Sequence, residues 1–92
     1  MNIKVNNQKE KTLIPKFMRE GYDEVDGQYF DYKGLGFYLI KSETGNWCIT
    51  EKTTNKFMVT WRKTRKQVFV EFEEFMSNHY EKVKEHIMKD VQ

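Results

Sequence analysis

The sequence has few of the residues on which metal-binding or redox chemistry depends. Cys48 is the only cysteine, so neither an intramolecular disulfide nor a cluster of thiolate ligands can form. Without disulfides, we expect a reducing, cytoplasmic compartment. No stretch approaches the roughly 18 consecutive apolar residues of a membrane-spanning helix, and residues 1–11 lack the apolar segment of an export signal. We therefore expect no membrane partner.

The residue types that carry catalysis are also sparse. His79 and His86 would lie about 10 Å apart along a helix, too far to share a metal ion. No base lies near Cys48 in the sequence, and a buried thiol is the simpler interpretation. The carboxylates of residues 71–74 fall on the polar side of a predicted helix, and the glycines form no phosphate-binding loop. We therefore predict no metal, no cofactor and no enzymatic activity.

The strongest pattern that is present is an amphipathic helix at the C-terminal end. Apolar side chains recur at steps of three and four residues, which places them on one side of a helix over about residues 65–89. Thr64 is a good N-cap, and Gln67 three residues later completes a capping-box pattern. The stripe needs a partner surface, and it comprises Phe69, Phe72, Met76, Tyr80, Val83 and Ile87.

Two β-branched and aromatic runs before this helix, at residues 47–52 and 57–61, predict a β-hairpin with Asn55 in the left-handed position of its loop. The resulting register places Glu51 opposite Phe57, Ile49 opposite Val59, and Trp47 opposite Trp61. Side chains alternate between the faces of a strand, so the face that packs on the helix is predicted to carry Trp47, Ile49, Phe57, Val59 and Trp61. The opposite face would carry Cys48, Thr50, Met58 and Thr60.

The first part of the chain gives weaker signals. Residues 1–11 are polar and indicate a mobile tail or a short edge strand. Pro15–Glu20 predicts one or two turns of helix, because proline suits the first helical position and Gly21 suits a helix end.

Residues 22–42 predict strands. The dipeptide Asp26-Gly27 lies between two β-prone runs and is the preferred sequence of a type I′ hairpin turn. Residues 28–33 and 36–42 predict two strands, joined by a turn or bulge at Gly34 and Gly36.

The whole pattern predicts one α+β domain over residues 12–92, preceded by a flexible tail at residues 1–11. A chain of 92 residues fits one domain, and its 15% of aromatic residues must supply much of a small core. The predicted architecture is an antiparallel β-meander of three to five strands packed against one long C-terminal helix.

The densest positive charge lies between the last strand and the helix. Cations at a helix N-terminus are disfavoured by about 0.3–1 kcal/mol each, so stability alone would not select this arrangement. Positive side chains beside free backbone amides would bind an anion, and nucleic-acid phosphate is an abundant one. The predicted nucleic-acid-binding residues are Arg62, Lys63, Arg65 and Lys66, extended on the preceding hairpin by Lys52 and Lys56.

The alternative is that this run is a solvated loop, paired with Glu71 or with the acidic residues between 23 and 31. Exposed aromatic side chains would add a stacking platform for single strands, although a small domain more often buries them. The candidates for such a platform are Tyr29, Tyr32, Phe37 and Tyr38.

The segment GNWCITEKTTNKFMVTWRKTRKQVFVEF, residues 45–72, resembles the three-strand-plus-helix module at the N-terminus of phage and conjugative-element integrases. In that family W-x-[IVY]-T-like strands precede a Thr-Lys-Lys helix start. The resemblance implies that the sheet and the helix start contact DNA, and it points to Arg62, Lys63, Arg65 and Lys66. The whole composition also resembles small accessory proteins of phages and mobile elements, many of which inhibit a host protein.

We therefore predict a non-catalytic module that contacts nucleic acid through the basic junction. The alternative is a small phage- or mobile-element-encoded protein that modulates a host protein, using the acidic residues 23–31 or the outer face of the helix. A homodimer is a third possibility, with a seam formed by Val68, Phe75 and His79, which lie off the main apolar stripe.

Overall fold

The computed structural model describes residues 3–90, which form one antiparallel sheet and one helix. The five strands lie in the sheet in the order in which they occur in the sequence, as a meander. The elements are β1 (Val5–Pro15), β2 (Tyr22–Tyr32), β3 (Leu35–Lys41), β4 (Trp47–Glu51), β5 (Phe57–Arg62) and α1 (Arg65–Asp90). The predicted α+β class and its long C-terminal helix are confirmed.

Helix α1 begins where its sequence predicts. Thr64 Oγ1 accepts a hydrogen bond from the Gln67 amide at 3.0 Å, and the Thr64 carbonyl accepts one from the Val68 amide at 3.2 Å. The first bond satisfies one of the amides that a helix N-terminus leaves without intrahelical partners, and the second is the first hydrogen bond of the helix itself. The N-cap thus fixes the point at which the chain leaves β5 and turns into the helix.

The helix packs its apolar stripe on one face of the sheet, with Phe72 at the centre. The Phe72 ring is fully buried, with its centroid 5.3 Å from those of Phe30 and Tyr32 and 4.9 Å from that of Phe37. These edge-to-face contacts are the favoured aromatic geometry. The rest of this main core comprises Leu39, Ile49, Val59, Val68, Met76 and Val83, with Phe69, Tyr80 and Ile87 partly buried against it. The predicted stripe is confirmed.

A smaller cluster covers part of the opposite face. Residues 22–27 of β2 have no pairing with β3 and pair with β1 alone, so they form a two-stranded ribbon. This ribbon packs against the side of the sheet that faces away from the helix. The second cluster buries Tyr38, Ile40 and Cys48, with Ile14, Val25, Tyr29 and Phe57 packed against them.

The ribbon corrects two predictions for the N-terminal part of the chain. Residues 5–11, predicted within a flexible tail or as an edge strand, belong to edge strand β1. The prediction of a helix over Pro15–Glu20 is wrong. Pro15 ends β1, and the Lys16 amide donates a hydrogen bond of 3.1 Å to the Gly21 carbonyl, which closes the loop that follows. A helix of six residues has little stability by itself, and the β1–β2 pairing, which ends at Pro15 opposite Tyr22, leaves residues 16–21 as the connecting loop.

The type I′ turn predicted at Asp26-Gly27 is also wrong. Gly27 lies inside β2, and a Cβ atom there would lie 3.1 Å from Thr12 Cγ2 and 3.2 Å from Tyr38 Cβ. Glycine is therefore favoured at this position by close packing rather than by a turn. The two-residue turn occurs instead between β2 and β3, where Lys33 and Gly34 have φ values of 50° and 88°.

The β4–β5 hairpin has the predicted loop. Asn55 adopts a left-handed conformation with φ of 61°, and Ile49 lies opposite Val59. On both sides of this pair the register differs from the predicted one, since Trp47 lies opposite Arg62 and Thr50 lies opposite Phe57.

These register shifts overturn the predicted face of the hairpin. An extra residue in one strand reverses which face the following side chains occupy. Trp47 packs against the main core, as predicted. Met58 also packs against the main core, although it was predicted to lie on the opposite face. Phe57 instead packs against the second cluster, and the Trp61 ring centroid lies 6.2 Å from that of Phe57. The two tryptophans therefore do not share one buried face.

Candidate nucleic-acid interface

Arg62, the first cation of the junction, is held by an internal carboxylate. Its Nε donates to the two oxygens of Glu71 at 2.8 and 3.0 Å, and its Nη1 donates to Thr60 Oγ1 at 2.9 Å. The hydrogen bond and charge of Arg62 lower the pKa of Glu71 and hold it ionised. Pairing with Glu71, the alternative to phosphate binding, is therefore observed for Arg62. This ion pair connects β5 to α1.

The three other predicted cations of the junction remain available. Lys63, Arg65 and Lys66 are exposed, and no described carboxylate between residues 3 and 89 lies within salt-bridge distance of them. The first turn of α1 contains no acidic residue. Arg65 places its guanidinium 5.7 Å from the centre of the Phe69 ring, a cation–π contact. Positive side chains and the positive end of the helix dipole thus coincide at one place.

Trp61 is the feature of this site that sequence reasoning missed. The expected register placed Trp61 in the core, but its side chain is 38% exposed. It borders a shallow recess of about 350 Å³ whose wall also includes Asn46, Lys63 and Gln67. An exposed tryptophan beside free cations is the combination that single-stranded nucleic acids use for stacking and phosphate contacts. The position of Trp61 directly before the basic run was the only sequence signal for it.

The two lysines expected to extend the patch lie at the other end of β5. Lys52 has its ammonium 5.0 Å from the centre of the Tyr29 ring, and Lys56 has its ammonium 3.3 Å from His86 Nε2. Six residues of strand, roughly 16–20 Å, separate this end from Arg62. The structure therefore places Lys63, Arg65 and Lys66 at the start of α1, where Lys63 lines one recess and Arg65 and Lys66 line another, and neither Lys52 nor Lys56 lies there.

The other candidate surfaces are reduced by packing. Tyr32, Phe37 and Tyr38 are buried, so they cannot form a stacking platform with Tyr29. Val68 is fully buried in the main core, which removes it from the predicted dimer seam.

Two of the four acidic residues between 23 and 31 are paired with lysines of the β1–β2 ribbon and its loop. Asp26 lies 2.8 Å from Lys11 and Asp23 lies 3.6 Å from Lys16, whereas Asp31 accepts a hydrogen bond from the Gly34 amide at 3.2 Å. Asp23 and Asp26 therefore help to hold the β1–β2 ribbon, whereas Glu24 and Asp31 have no salt-bridge partner among the described residues.

The described residues contain no cluster of three or more histidine, cysteine or acidic side chains that could hold a metal ion. Burial raises the pKa of the Cys48 thiol to about 12, so it stays protonated at neutral pH. Helix α1 is too polar to cross a bilayer, and no other described helix exists to do so.

Comparison of the chain with protein-family models, with curated proteins and with solved structures finds no significant match.

Proposed function

We propose that the protein is a non-catalytic module that binds single-stranded nucleic acid through the start of α1. One observation carries the proposal: Lys63 lines the same recess as the exposed Trp61, and Lys63, Arg65 and Lys66 are exposed without salt-bridge partners among the described side chains. The three cations would contact successive phosphates, and the tryptophan would stack on a base. The Arg62–Glu71 pair keeps the loop between β5 and α1 in place.

A single strand fits this surface better than a duplex. Reading a duplex requires an element that enters a groove, whereas here the cations lie at the end of a helix whose flank packs on the sheet. A base can leave a single strand to stack on Trp61 at little cost, but in a duplex it must first be unpaired. We therefore expect stronger binding to single strands of DNA or RNA than to duplexes of the same length.

Charge reversal tests the proposal. The variant Lys63→Glu/Arg65→Glu/Lys66→Glu places acids where the helix dipole favours them, so the fold should be at least as stable as in the parent. The control Lys82→Glu/Lys84→Glu/Lys89→Glu makes the same change in charge near the other end of α1. Binding is measured by fluorescence anisotropy with labelled strands of about 12 nucleotides, a length within the usual site sizes.

We expect the first variant to lose detectable binding and the control to keep most of it. Equal weakening in both variants would show that net charge rather than the junction attracts the strand. Unchanged binding in the first variant would remove the proposal.

A second candidate function is the binding of a partner protein, as expected of a modulator of a host protein. The observation that favours it is the loop between β1 and β2, in which Phe17 and Met18 are each 87% exposed. Met18 also has a φ of 54°, a conformation that costs a non-glycine residue about 1–2 kcal/mol. Neither feature serves the stability of the isolated chain, so both are consistent with a contact to another protein.

Affinity capture from a nuclease-treated lysate separates the two functions. A partner that is retained after nuclease and lost with Phe17→Ser/Met18→Asn would favour the protein contact. A partner that is lost on nuclease treatment, or retained by the loop variant, would count against it.

A further inference from the structure

A separate pocket opens between the β4–β5 loop and the C-terminal half of α1. Its volume is about 240 Å³, and its walls are formed by the side chains of Met58, Phe75, Val83 and Ile87. An apolar cavity of about 150 Å³ is known to hold benzene, so this pocket has room for one ring and a short substituent. It lies below the roughly 300–1,000 Å³ of sites for drug-sized ligands, which limits its occupant to a small molecule.

Part of the apolar wall of this pocket is exposed to solvent. Phe75 belongs to the helix but is 38% exposed, in contrast to Phe72, which is fully buried one turn earlier. The Phe75 ring contacts His79, with ring centroids 4.8 Å apart, and otherwise faces the opening. A ligand ring placed against it would remove apolar surface from water without a rearrangement of the main core.

The opening of the pocket is positively charged. Lys56 from the β4–β5 loop and Lys82 from α1 both line it, and Lys56 Nζ lies 3.3 Å from His86 Nε2. An ammonium group can only donate, so His86 Nε2 is the acceptor of this bond. A ligand carboxylate would be a stronger acceptor for Lys56 than the imidazole is.

The one carboxylate that lines the pocket is buried and hydrogen-bonded within the β4–β5 loop. Glu51 is 1% exposed, and its oxygens accept hydrogen bonds from the backbone amides of Thr53 at 2.8 Å and Thr54 at 2.6 Å. Its carboxylate oxygens are therefore held by the loop backbone, whereas Lys56 and Lys82 are exposed at the opening. The exposed charge of the rim is positive.

We propose that this pocket binds a small apolar carboxylate, with its ring or short chain against Phe75 and its carboxylate between Lys56 and Lys82. The size of the pocket argues for one ring, and the charge of its rim argues for an anion. The site lies near the C-terminal half of α1, and binding there does not depend on the nucleic-acid contact at the N-terminal end.

The proposal is tested by titration of the intact protein with phenylpropionate, followed by two-dimensional amide NMR. We expect saturable shifts at Met58, Val83 and His86, with a dissociation constant on the order of 1 mM or below for a ligand of this size. The neutral analogue phenylpropanamide should bind at least about ten-fold more weakly, because it cannot form charge-assisted hydrogen bonds with the lysines.

A pair of variants assigns the charge. Lys56→Gln/Lys82→Gln alters two exposed side chains and should weaken phenylpropionate binding about ten-fold, whereas Lys84→Gln/Lys89→Gln removes the same charge outside the pocket and should have little effect. The proposal is overturned by equal affinity for the acid and the amide, by no saturable shift at about 10 mM ligand, or by shifts confined to the start of α1. Shifts at the pocket that depend on protein concentration alone would also overturn it, since they would show that a second copy of the chain occupies the site.

Discussion

Arg62 at the end of β5 and Glu71 in the second turn of α1 form a hydrogen-bonded ion pair, with Arg62 Nε 2.8 Å from Glu71 Oε2. The pair spans the turn that contains Lys63 and the N-cap Thr64. Arg62 therefore has a structural role. Lys63, Arg65 and Lys66 follow it, where this ion pair and the N-cap hold the chain in place. This division of roles underlies the predictions for the junction.

The ion pair predicts a stability difference that depends on pH. Arg62 lowers the pKa of Glu71 from its ordinary value of 4.5, first by the hydrogen bond and then by its charge. The stabilisation is therefore present above pH 4.5 and is lost as the pH falls through the lowered value. We expect Glu71→Gln to have a lower Tm than the parent at pH 7, with the gap closing in acid. Thermal unfolding followed by circular dichroism at several pH values measures this.

The matched control is Glu81→Gln, an exposed helix position with no salt-bridge partner among the described side chains. Its difference in Tm from the parent should be small at every pH. A gap for Glu71→Gln that stays constant from neutral pH to acid would contradict a role for the charged pair.

Trp61 is expected to distinguish single strands from duplexes. Stacking of one base on an aromatic side chain contributes about 1–3 kcal/mol, so Trp61→Ala should weaken binding to a single strand by about 5- to 150-fold. Duplex binding should change little. Tyr22→Ala removes an aromatic side chain that is similarly exposed but lies on the β1–β2 ribbon, and it serves as the control. Similar losses for both strand types, or for both variants, would argue against stacking.

The helix and its cap were predictable because their signals are local. The stripe from Phe69 to Ile87 follows from the helical period, and Thr64 follows from the chemistry of an N-cap. The left-handed residue Asn55 was likewise predictable, because asparagine tolerates that conformation. Each of these features depends on residues only a few positions apart.

Met18 and Asn55 both adopt a left-handed conformation, and we expect substitutions at these two positions to have opposite effects on stability. Met18 has φ of 54° and Asn55 has φ of 61°, yet only asparagine tolerates this conformation readily. We expect Met18→Asn to raise the free energy of unfolding by about 0.5–1 kcal/mol and Asn55→Met to lower it by a similar amount. Urea denaturation measures both. A loss of stability in Met18→Asn would mean that the exposed loop is stabilised by contacts of the methionine.

We expect that removing the hydroxyl group of Thr50 leaves the stability of the fold unchanged or raises it. Its Oγ1 is buried without a hydrogen-bond partner among the described residues, which costs free energy. Thr50→Val keeps the shape and removes this cost, so the free energy of unfolding should stay the same or rise by about 1 kcal/mol. Thr60→Val is the control, because Thr60 Oγ1 accepts the 2.9 Å bond from Arg62 and its loss should destabilise. Clear destabilisation by Thr50→Val would indicate a partner for that hydroxyl.

The features that the sequence did not predict depend on pairing between distant segments. The exposure of Trp61 follows from register shifts between β4 and β5, which no local pattern encodes. The dipeptide Asp26-Gly27 carries a turn signal, but Gly27 is favoured by its close approach to Tyr38 and Thr12 from other strands. The choice of Glu71 as the partner of Arg62 was one of several alternatives, because the sequence does not give the distance between β5 and the helix face.

The most direct test of the proposed function is the salt dependence of binding to a single strand. Three phosphate contacts predict that the logarithm of the association constant falls with the logarithm of salt concentration with a slope of about −2. We expect this slope for the parent and for Lys82→Glu/Lys84→Glu/Lys89→Glu, and no measurable binding for Lys63→Glu/Arg65→Glu/Lys66→Glu. A parent slope near zero, or the same slope in the junction variant, would contradict the account.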